Sequence, residues 1–338
     1  MRIAVDAMGG DHAPGEIIPG CVEAVRAYPK VDEIVLVGDE ETVHRELKAV
    51  GGAGERIRVV HASEVIEMGE APAMALRRKK DSSISRAIEL VKAGEADAVF
   101  SAGSTGAMVA GSTLKLRTLE GCDRPTIATV LPTQKHPVVL LDAGANPECT
   151  ESMLAQFAVM GDVYAKEILG AANPRVGLLS IGGEEAKGNE LTKQTFKILE
   201  ASHLHFVGNV ESHDMFEGEV DVVVCDGFTG NVVLKTGEAV ARAMKTWMKD
   251  EFTASWSRKI GALLLKPAFK SIAQKSDPES QGGAPLLGVN GIVYIGHGSS
   301  SRRAVKNAIR VVRDSILHEL NHHMIDDLAR LHKTRESL

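Results

Sequence analysis

Short apolar runs rich in β-branched residues recur along the chain at Ile3–Val5, Ile34–Val37, Ile57–Val60, Ala98–Phe100, Thr126–Leu131, Val138–Leu141, Val176–Ile181, Phe206–Val207, Val222–Val224 and Ile292–Ile295. They are continuous rather than alternating, which fits strands covered on both faces of a parallel sheet. Helix-length segments lie between many of them, such as Ser83–Lys92, with Gly94 behind it as a C-terminal stop. The alternation predicts a doubly wound α/β sheet. With no internal repeat, low-complexity tract or linker in view, residues 1–330 are expected to form a single α/β domain, followed by a tail at 331–338.

The segments that follow the runs carry more chemistry. Asp6–His12, Ser101–Gly106, Asp142–Asn146, Gly182-Gly183, Asp226–Asn231 and Gly296–Ser300 each come directly after an apolar run. Six such turns are expected to gather at the carboxyl edge of one sheet, where open α/β folds bind ligands. Their glycines permit close backbone approach, and Ser104, Thr105, Thr229 and Asn231 offer hydrogen bonds, so a wide, polar, anion-friendly cleft is expected. In Arg175–Gln194 an apolar strand breaks at Gly182-Gly183, presents a lone Lys187 and enters a helix from about Glu190. Strand, glycine turn and helix make an anion site, because the helix's first N–H groups lack partners. A plain tight turn with a solvated Lys187 fits the same residues.

Composition narrows the classes. The 338 residues carry a net charge of −6, which gives no support to a nucleic-acid partner. Cys21, Cys122, Cys149 and Cys225 are far apart with no C-x-x-C pair, which argues against zinc ribbons and disulfide frameworks and fits a reducing cytoplasm. The N-terminus turns polar too soon for a signal peptide, and no apolar run approaches the roughly 20 residues that span a bilayer. Neither a Walker loop nor a dinucleotide fingerprint occurs, which disfavours ATP and NAD. No G-x-S-x-G elbow supports a serine nucleophile. His322 and His323, each four residues before Asp326 and Asp327, fit a metal or, more simply, a solvated helix face. Asp6, Asp11 and His12 fit a cation, or Asp11 a helix cap near Pro14. No metal or cofactor is expected.

Ala239–Lys275 differs in composition. It holds Trp247 and Trp256 and eight basic residues against Asp250 and Glu251. Met244, Trp247, Met248 and Phe252 share one helical face, and Ile260, Leu263 and Leu264 begin another before Pro267 interrupts. A helical protrusion within 239–280 is expected, suited to an anionic membrane interface or to packing on its own domain or a dimer mate. Arg77-Arg78-Lys79-Lys80 forms a second basic patch, which fits an acidic protein, a phosphate-bearing ligand or a solvated turn.

Five motifs together resemble the bacterial PlsX phosphate acyltransferase family: DAMGGDHAP at Asp6–Pro14, RRKKDSS at Arg77–Ser83, SAGSTGA at Ser101–Ala107, KGNELTKQTF at Lys187–Phe196 and DGFTGN at Asp226–Asn231. The similarity runs from residue 1 to about 320. It implies transfer of a fatty acyl group from acyl carrier protein to inorganic phosphate by direct attack on the thioester, giving acyl phosphate for a downstream glycerol-3-phosphate acyltransferase in phospholipid synthesis. It also implies a Rossmann-like three-layer α/β/α sandwich similar to isocitrate and isopropylmalate dehydrogenases, with a protruding amphipathic helical pair. A cytoplasmic homodimer at the inner membrane surface follows as well, with Ala254–Ala273 at the membrane-binding position and Trp256, Leu263, Leu264 and Leu265 at its tip. Lys187 and Asn231 match the family's catalytic pair. Gly103, Ser104, Thr105, Gly106, Gly182, Gly183, Asn189, Thr229, Gly230 and His297 are the further candidates for the phosphate and pantetheine cradle, and Arg77–Lys80 for carrier-protein docking. His136, His322 and His323 match no motif.

Overall fold

The apolar runs form two sheets rather than one. The computed structural model describes residues 1–52, 54–275 and 277–336. Among these, the strands are β1 (Arg2–Asp6), β2 (Glu33–Gly38), β3 (Ile57–His61), β4 (Ala98–Ser101), β5 (Thr126–Ile127), β6 (Thr129–Leu131), β7 (Val138–Leu141), β8 (Val176–Leu179), β9 (Phe206–Val210), β10 (Val222–Val224), β11 (Ala284–Leu287) and β12 (Ile292–Ile295). A seven-stranded sheet takes the order β3-β2-β1-β4-β12-β11-β5, and a five-stranded sheet the order β6-β7-β10-β8-β9. All neighbours are parallel except those involving β11 and the β6–β7 pair. The mostly parallel α/β class therefore holds, with the expected single sheet cut in two.

The cut falls at Ala128, inside the run Thr126–Leu131. Its N–H donates to Pro285 O at 3.0 Å, and the chain leaves the first sheet there to continue as β6 of the second. Because β11 is antiparallel to both β12 and β5, β5 runs with β1, β4 and β12 toward the first sheet's carboxyl edge. β7 then runs back against β6, and β10 and β8 lie parallel to β7. The carboxyl ends of both sheets thus meet across Ala128. β11 escapes sequence inspection because Pro285 and the preceding Gly282-Gly283 look like a turn.

The helices are α1 (Ile17–Ala27), α2 (Glu40–Ala49), α3 (Pro72–Arg78), α4 (Ser83–Lys92), α5 (Thr105–Leu116), α6 (Glu151–Glu167), α7 (Glu190–Glu200), α8 (Ser212–Glu217), α9 (Gly227–Thr253), α10 (Trp256–Leu264), α11 (Lys266–Lys275), α12 (Arg302–Leu317) and α13 (Leu320–Glu336). Many start on a side-chain cap: Asp39 for α2, Ser82 for α4, Ser104 for α5, Thr150 for α6, Asn189 for α7, Asp226 for α9 and Ser301 for α12. Each cap satisfies an N–H that the helix leaves open, typically for ~1 kcal/mol. The central strands explain the continuous runs: Val222, Val223 and Val224 are wholly buried, as are Ile3, Ala4 and Val5. One apolar cluster draws Ile3 and Val5 from the first sheet and Val139, Val176 and Val222 from the second, with α6 buried among them from Ser152 to Ala165.

From its third turn α9 leaves this core. Its buried residues are Gly227 and Gly230 alone among those described, and α10 has none. Phe252 and Phe269 stack edge to face at 4.9 Å and Lys259 lies 5.4 Å from the Trp256 ring, so the helices of the protrusion pack on one another. The face begun by Ile260, Leu263 and Leu264 is interrupted as expected: α10 ends at Leu264, and Pro267 stands in the first turn of α11, where a missing N–H costs little. No described helix is long and apolar enough to cross a membrane.

Candidate active site

The six turns fall into two sets of three, one on each sheet. On the seven-stranded sheet, β1, β4 and β12 are neighbours, and so are the turns behind them. Asp11 N–H donates to Gly298 O at 2.7 Å, tying the first turn to the last. Gly9 and Gly103 touch backbone to backbone: a β-carbon on Gly9 would stand 2.8 Å from Gly103 N and 2.3 Å from Asp6 Oδ2. Asp6 is fully buried beneath them, accepting the Ser101 hydroxyl at 2.7 Å and Met8 N–H at 3.1 Å. Burial outweighs these bonds and raises its pKa above the usual carboxylate value. Arg302 closes the edge from below, donating to Glu16 at 2.7 and 3.2 Å and holding that carboxyl down to about 2.

Most polar groups on this edge are already engaged. Ser104 Oγ caps α5 by accepting Ala107 N–H at 3.4 Å, and His297 Nδ1 accepts Ser299 N–H at 3.2 Å with Ser299 Oγ at 2.8 Å. Gly106 lies under Pro72, the first residue of α3, so close that a β-carbon would stand 2.5 Å from Pro72 Cγ. Thr105 is exposed at the mouth of α5.

On the five-stranded sheet, β7, β10 and β8 are parallel neighbours in that order, so the turn carrying Asn231 lies between Asp142–Asn146 and the turn carrying Lys187. Asp226–Asn231 is not a loop; Asp226 is the N-cap of α9 and Asn231 sits in its second turn. Asp226 accepts Thr229 N–H at 2.9 Å and the Thr229 hydroxyl at 2.7 Å. Asn189 caps α7 by accepting Thr192 N–H at 2.9 Å. Lys187 N–H donates to Glu184 O at 3.0 Å, Asn209 Nδ2 donates to the same oxygen at 2.9 Å, and the lysine stem packs on Gly182. Gly183 and Lys187 are exposed. Among the described residues, neither the Lys187 amine nor the Asn231 amide has a hydrogen-bond or ion-pair partner.

The clustered hydroxyl and amide groups therefore divide. Ser104, Asn189 and Thr229 are occupied with the backbone or with a cap, whereas Lys187, Asn231 and Thr105 keep their functional groups uncommitted. Burial pushes the Cys225 thiol well up and that of Cys149 to about 12, so the cysteines on this edge are not thiolates. Asp11 does not cap α1, whose N-cap is Glu16. Among the described residues no group of three or more His, Cys, Asp or Glu is arranged to hold a metal ion. His322 lies 3.7 Å from Asp326 as its spacing predicts, but His323 lies 3.0 Å from Glu167 instead of Asp327. In the basic patch, Lys79 is tied down by Glu70 and by Val65 O at 2.7 Å, while Arg77, Arg78 and Lys80 are exposed.

One residue on this edge was not singled out from the sequence. Asp142, just past β7, is fully buried and accepts five hydrogen bonds: Oδ1 from the N–H groups of Ile127 at 3.1 Å, Gly144 at 3.1 Å and Ala145 at 3.0 Å, and Oδ2 from Asn146 N at 2.6 Å and Nδ2 at 2.9 Å. The available signal was an aspartate directly behind a fully apolar run, the pattern that Asp6 shares. Two open depressions of about 560 Å³ lie on the opposite edge, beside Asp97, Asn290 and Gly291 and beside Gly94, Lys115 and Asn290, and take in none of these groups.

Residues 1–322 match the model of the fatty acid synthesis protein family. The chain belongs to that family. It is 54% identical over 320 residues, 95% of this chain and 93% of its relative, to a phosphate acyltransferase of Pelotomaculum thermopropionicum. A phosphate acyltransferase of Heliobacterium modesticaldum is 53% identical over 317 residues, 94% of each chain. Among solved structures, a phosphotransacetylase from Streptococcus pyogenes superposes with a TM-score of 0.60 at 18% identity, covering 94% of each chain. The EutD phosphotransacetylase from Staphylococcus aureus gives 0.58 at 17%, covering 93% of this chain and 94% of that one. At these identities the structures speak for the fold alone, and they share it across nearly the whole length.

Proposed function

We infer that the protein is a phosphate acyltransferase, which moves a fatty acyl group from acyl carrier protein to inorganic phosphate and so supplies acyl phosphate for phospholipid synthesis. A phosphate oxygen attacks the thioester carbonyl, the C–O bond forms, and the C–S bond of the tetrahedral intermediate breaks. The proton of hydrogen phosphate ends on the released carrier-protein thiol. Phosphate is itself the nucleophile, so the protein's task is to gather two anions, orient the attack and stabilise the oxyanion.

A single observation carries the assignment of roles: Lys187 and Asn231 lie in the segments that follow adjacent parallel strands on one edge, with their polar groups uncommitted among the described residues. In this reading Lys187 neutralises phosphate and the developing oxyanion, and Asn231 donates to that oxyanion. Thr105, Gly103, Gly106 and the N-terminus of α5 hold phosphate or pantetheine from the facing edge, with Gly182, Gly183 and His297 lining the cradle, while Gly230 is buried against Asp142 O and packs α9 behind it. Arg77, Arg78 and Lys80 dock the acidic carrier protein, at the far end of the short helix whose first residue covers Gly106. Free carrier-protein thiol should appear from acyl carrier protein only when phosphate is present. Phosphate-independent or absent release would overturn the reading, and equal turnover of coenzyme A thioesters would move it toward a phosphotransacetylase.

The protrusion supports a second element of the proposal. Trp256 and Leu264 are 81% and 76% exposed, beside Leu263 and Leu265 and flanked by Arg258, Lys259, Lys266 and Lys270. Such a tip enters an anionic membrane surface, placing the enzyme peripherally on the cytoplasmic face, where a glycerol-3-phosphate acyltransferase would take the product. Val240, Met244, Trp247 and Met248, exposed along α9, form a face for a second copy. From Asn231 to Thr253 the helix rises roughly 33 Å, so tip and site are separate surfaces. Leu263→Glu with Leu264→Glu should abolish binding to anionic liposomes while thiol release in solution persists; unchanged binding refutes the tip.

A further inference from the structure

We propose that Asp142 is a positioning residue for the reaction, acting through Asn231; this rests on the role given to Asn231 above. A wholly buried carboxylate is costly unless its oxygens are satisfied, and the five donors around Asp142 do so almost entirely from one loop. Three are the N–H groups of Gly144, Ala145 and Asn146, a fourth is the Asn146 amide, and the fifth is Ile127 N–H across the sheet junction. The carboxylate is the centre on which the loop 142–146 is wound. Asn146 Nδ2 also donates to Pro125 O at 2.7 Å, fixing the loop to the first sheet.

The loop in turn grips the start of α9 without intervening side chains. Gly227 N–H donates to Asn146 O at 2.8 Å. A β-carbon on Gly230 would stand 1.9 Å from Asp142 O, and one on Gly227 2.8 Å from Asp142 Oδ2. Gly144, at φ +132°, faces Asn231: a β-carbon there would lie 3.4 Å from Asn231 Cβ and 3.6 Å from its Oδ1. Backbone on backbone leaves no side-chain slack, so a shift of the loop is passed to the Asn231 amide. A displacement of about 1 Å at a reacting centre can cost ~10²-fold in rate.

Asp142→Asn keeps the shape and the acceptor at Oδ1 but places an NH2 against the two Asn146 donors. Expected is a fall in kcat of roughly 10- to 100-fold for thiol release from acyl carrier protein, with KM for the carrier protein unchanged, on monodisperse protein with wild-type circular dichroism. The deciding measurement is the double variant with Asn231→Ala. If Asp142 acts through Asn231, adding Asp142→Asn to Asn231→Ala should lower kcat less than about twofold further. Penalties that multiply, or a fully active Asp142→Asn, overturn the proposal and leave Asp142 a pin of the fold. Should Asn231→Ala alone be near normal, it is the site assignment that fails. If Asp142→Asn does not fold, Asn146→Ala replaces it in the same cycle: it removes one donor from Oδ2 and leaves the charge, and additivity there overturns the proposal equally.

Discussion

The two edges that meet at Ala128 are built by the same recipe and put to different use. On each, three parallel strands end together, a buried aspartate lies beneath, glycines let the turns touch, and a capped helix opens. On the seven-stranded edge most side-chain groups close on the backbone or on one another, and Asp11, His12 and Thr105 are left over among the described residues. On the five-stranded edge the caps are equally complete, yet Lys187 and Asn231, in the segments that follow two adjacent strands, remain uncommitted. The contrast teaches that a small-residue turn is a cradle by default, and becomes chemical only where a charge or amide survives the local hydrogen bonding.

The largest expected effect tests that contrast directly. Lys187→Ala and Asn231→Ala should each lower kcat by ~10²–10³, the usual cost of a lost oxyanion donor, with unchanged circular dichroism, because neither side chain holds another residue in place. Near-normal turnover in both would erase the distinction between the edges. Thr105→Ala comes next: as a binding group it should raise KM for phosphate about tenfold, in keeping with one lost hydrogen bond to a charged ligand, and leave kcat within a factor of two. A larger loss in kcat than in KM would make the seven-stranded edge a chemical partner and not a cradle.

Ser104→Ala should act in the opposite sense. Its hydroxyl is buried and spent on Ala107 N–H, so its loss should cost ~1 kcal/mol in urea unfolding, while turnover per folded molecule stays the same. A kinetic defect without a stability defect would show that the cap also meets substrate.

How far the sequence could carry this distinction depends on the range of each interaction. The parallel strands were legible because burial on both faces writes an unbroken apolar run, and the six turns because glycine and cap residues are local signals. The split at Ala128 was not, since the run Thr126–Leu131 is uniform and only the pairing of β11 through Pro285 breaks it. Hydroxyls and amides are equally plain in the sequence whether spent or free. That Ser104 and Asn189 cap helices while Asn231 stays open is decided by backbone position, and DGFTGN reads as a turn although it forms the first helical turns of α9. Asp142 was hidden for the same reason: its partners are mostly backbone N–H groups, which have no residue type.

The two aspartates give the subtlest test. Asp142 accepts five hydrogen bonds, whereas at Asp6 burial outweighs the hydroxyl and N–H groups around it, Ser101 and Met8 with Ser83 and Gly9 beside them, and raises its pKa above the usual carboxylate value. A carboxyl whose folded pKa is raised binds its proton more tightly in the folded state. Its contribution to stability is therefore full below the unfolded pKa and is lost as pH rises through the folded one. Asp6→Asn, a neutral near-isostere, should remove this loss. The difference in urea midpoint between Asp6→Asn and wild type should grow in the variant's favour from about pH 4 to about pH 7, since every other titrating group is common to both. A difference independent of pH would mean that the hydrogen bonds to Asp6 offset its burial, and the two edges would then differ only in the side chains they leave free.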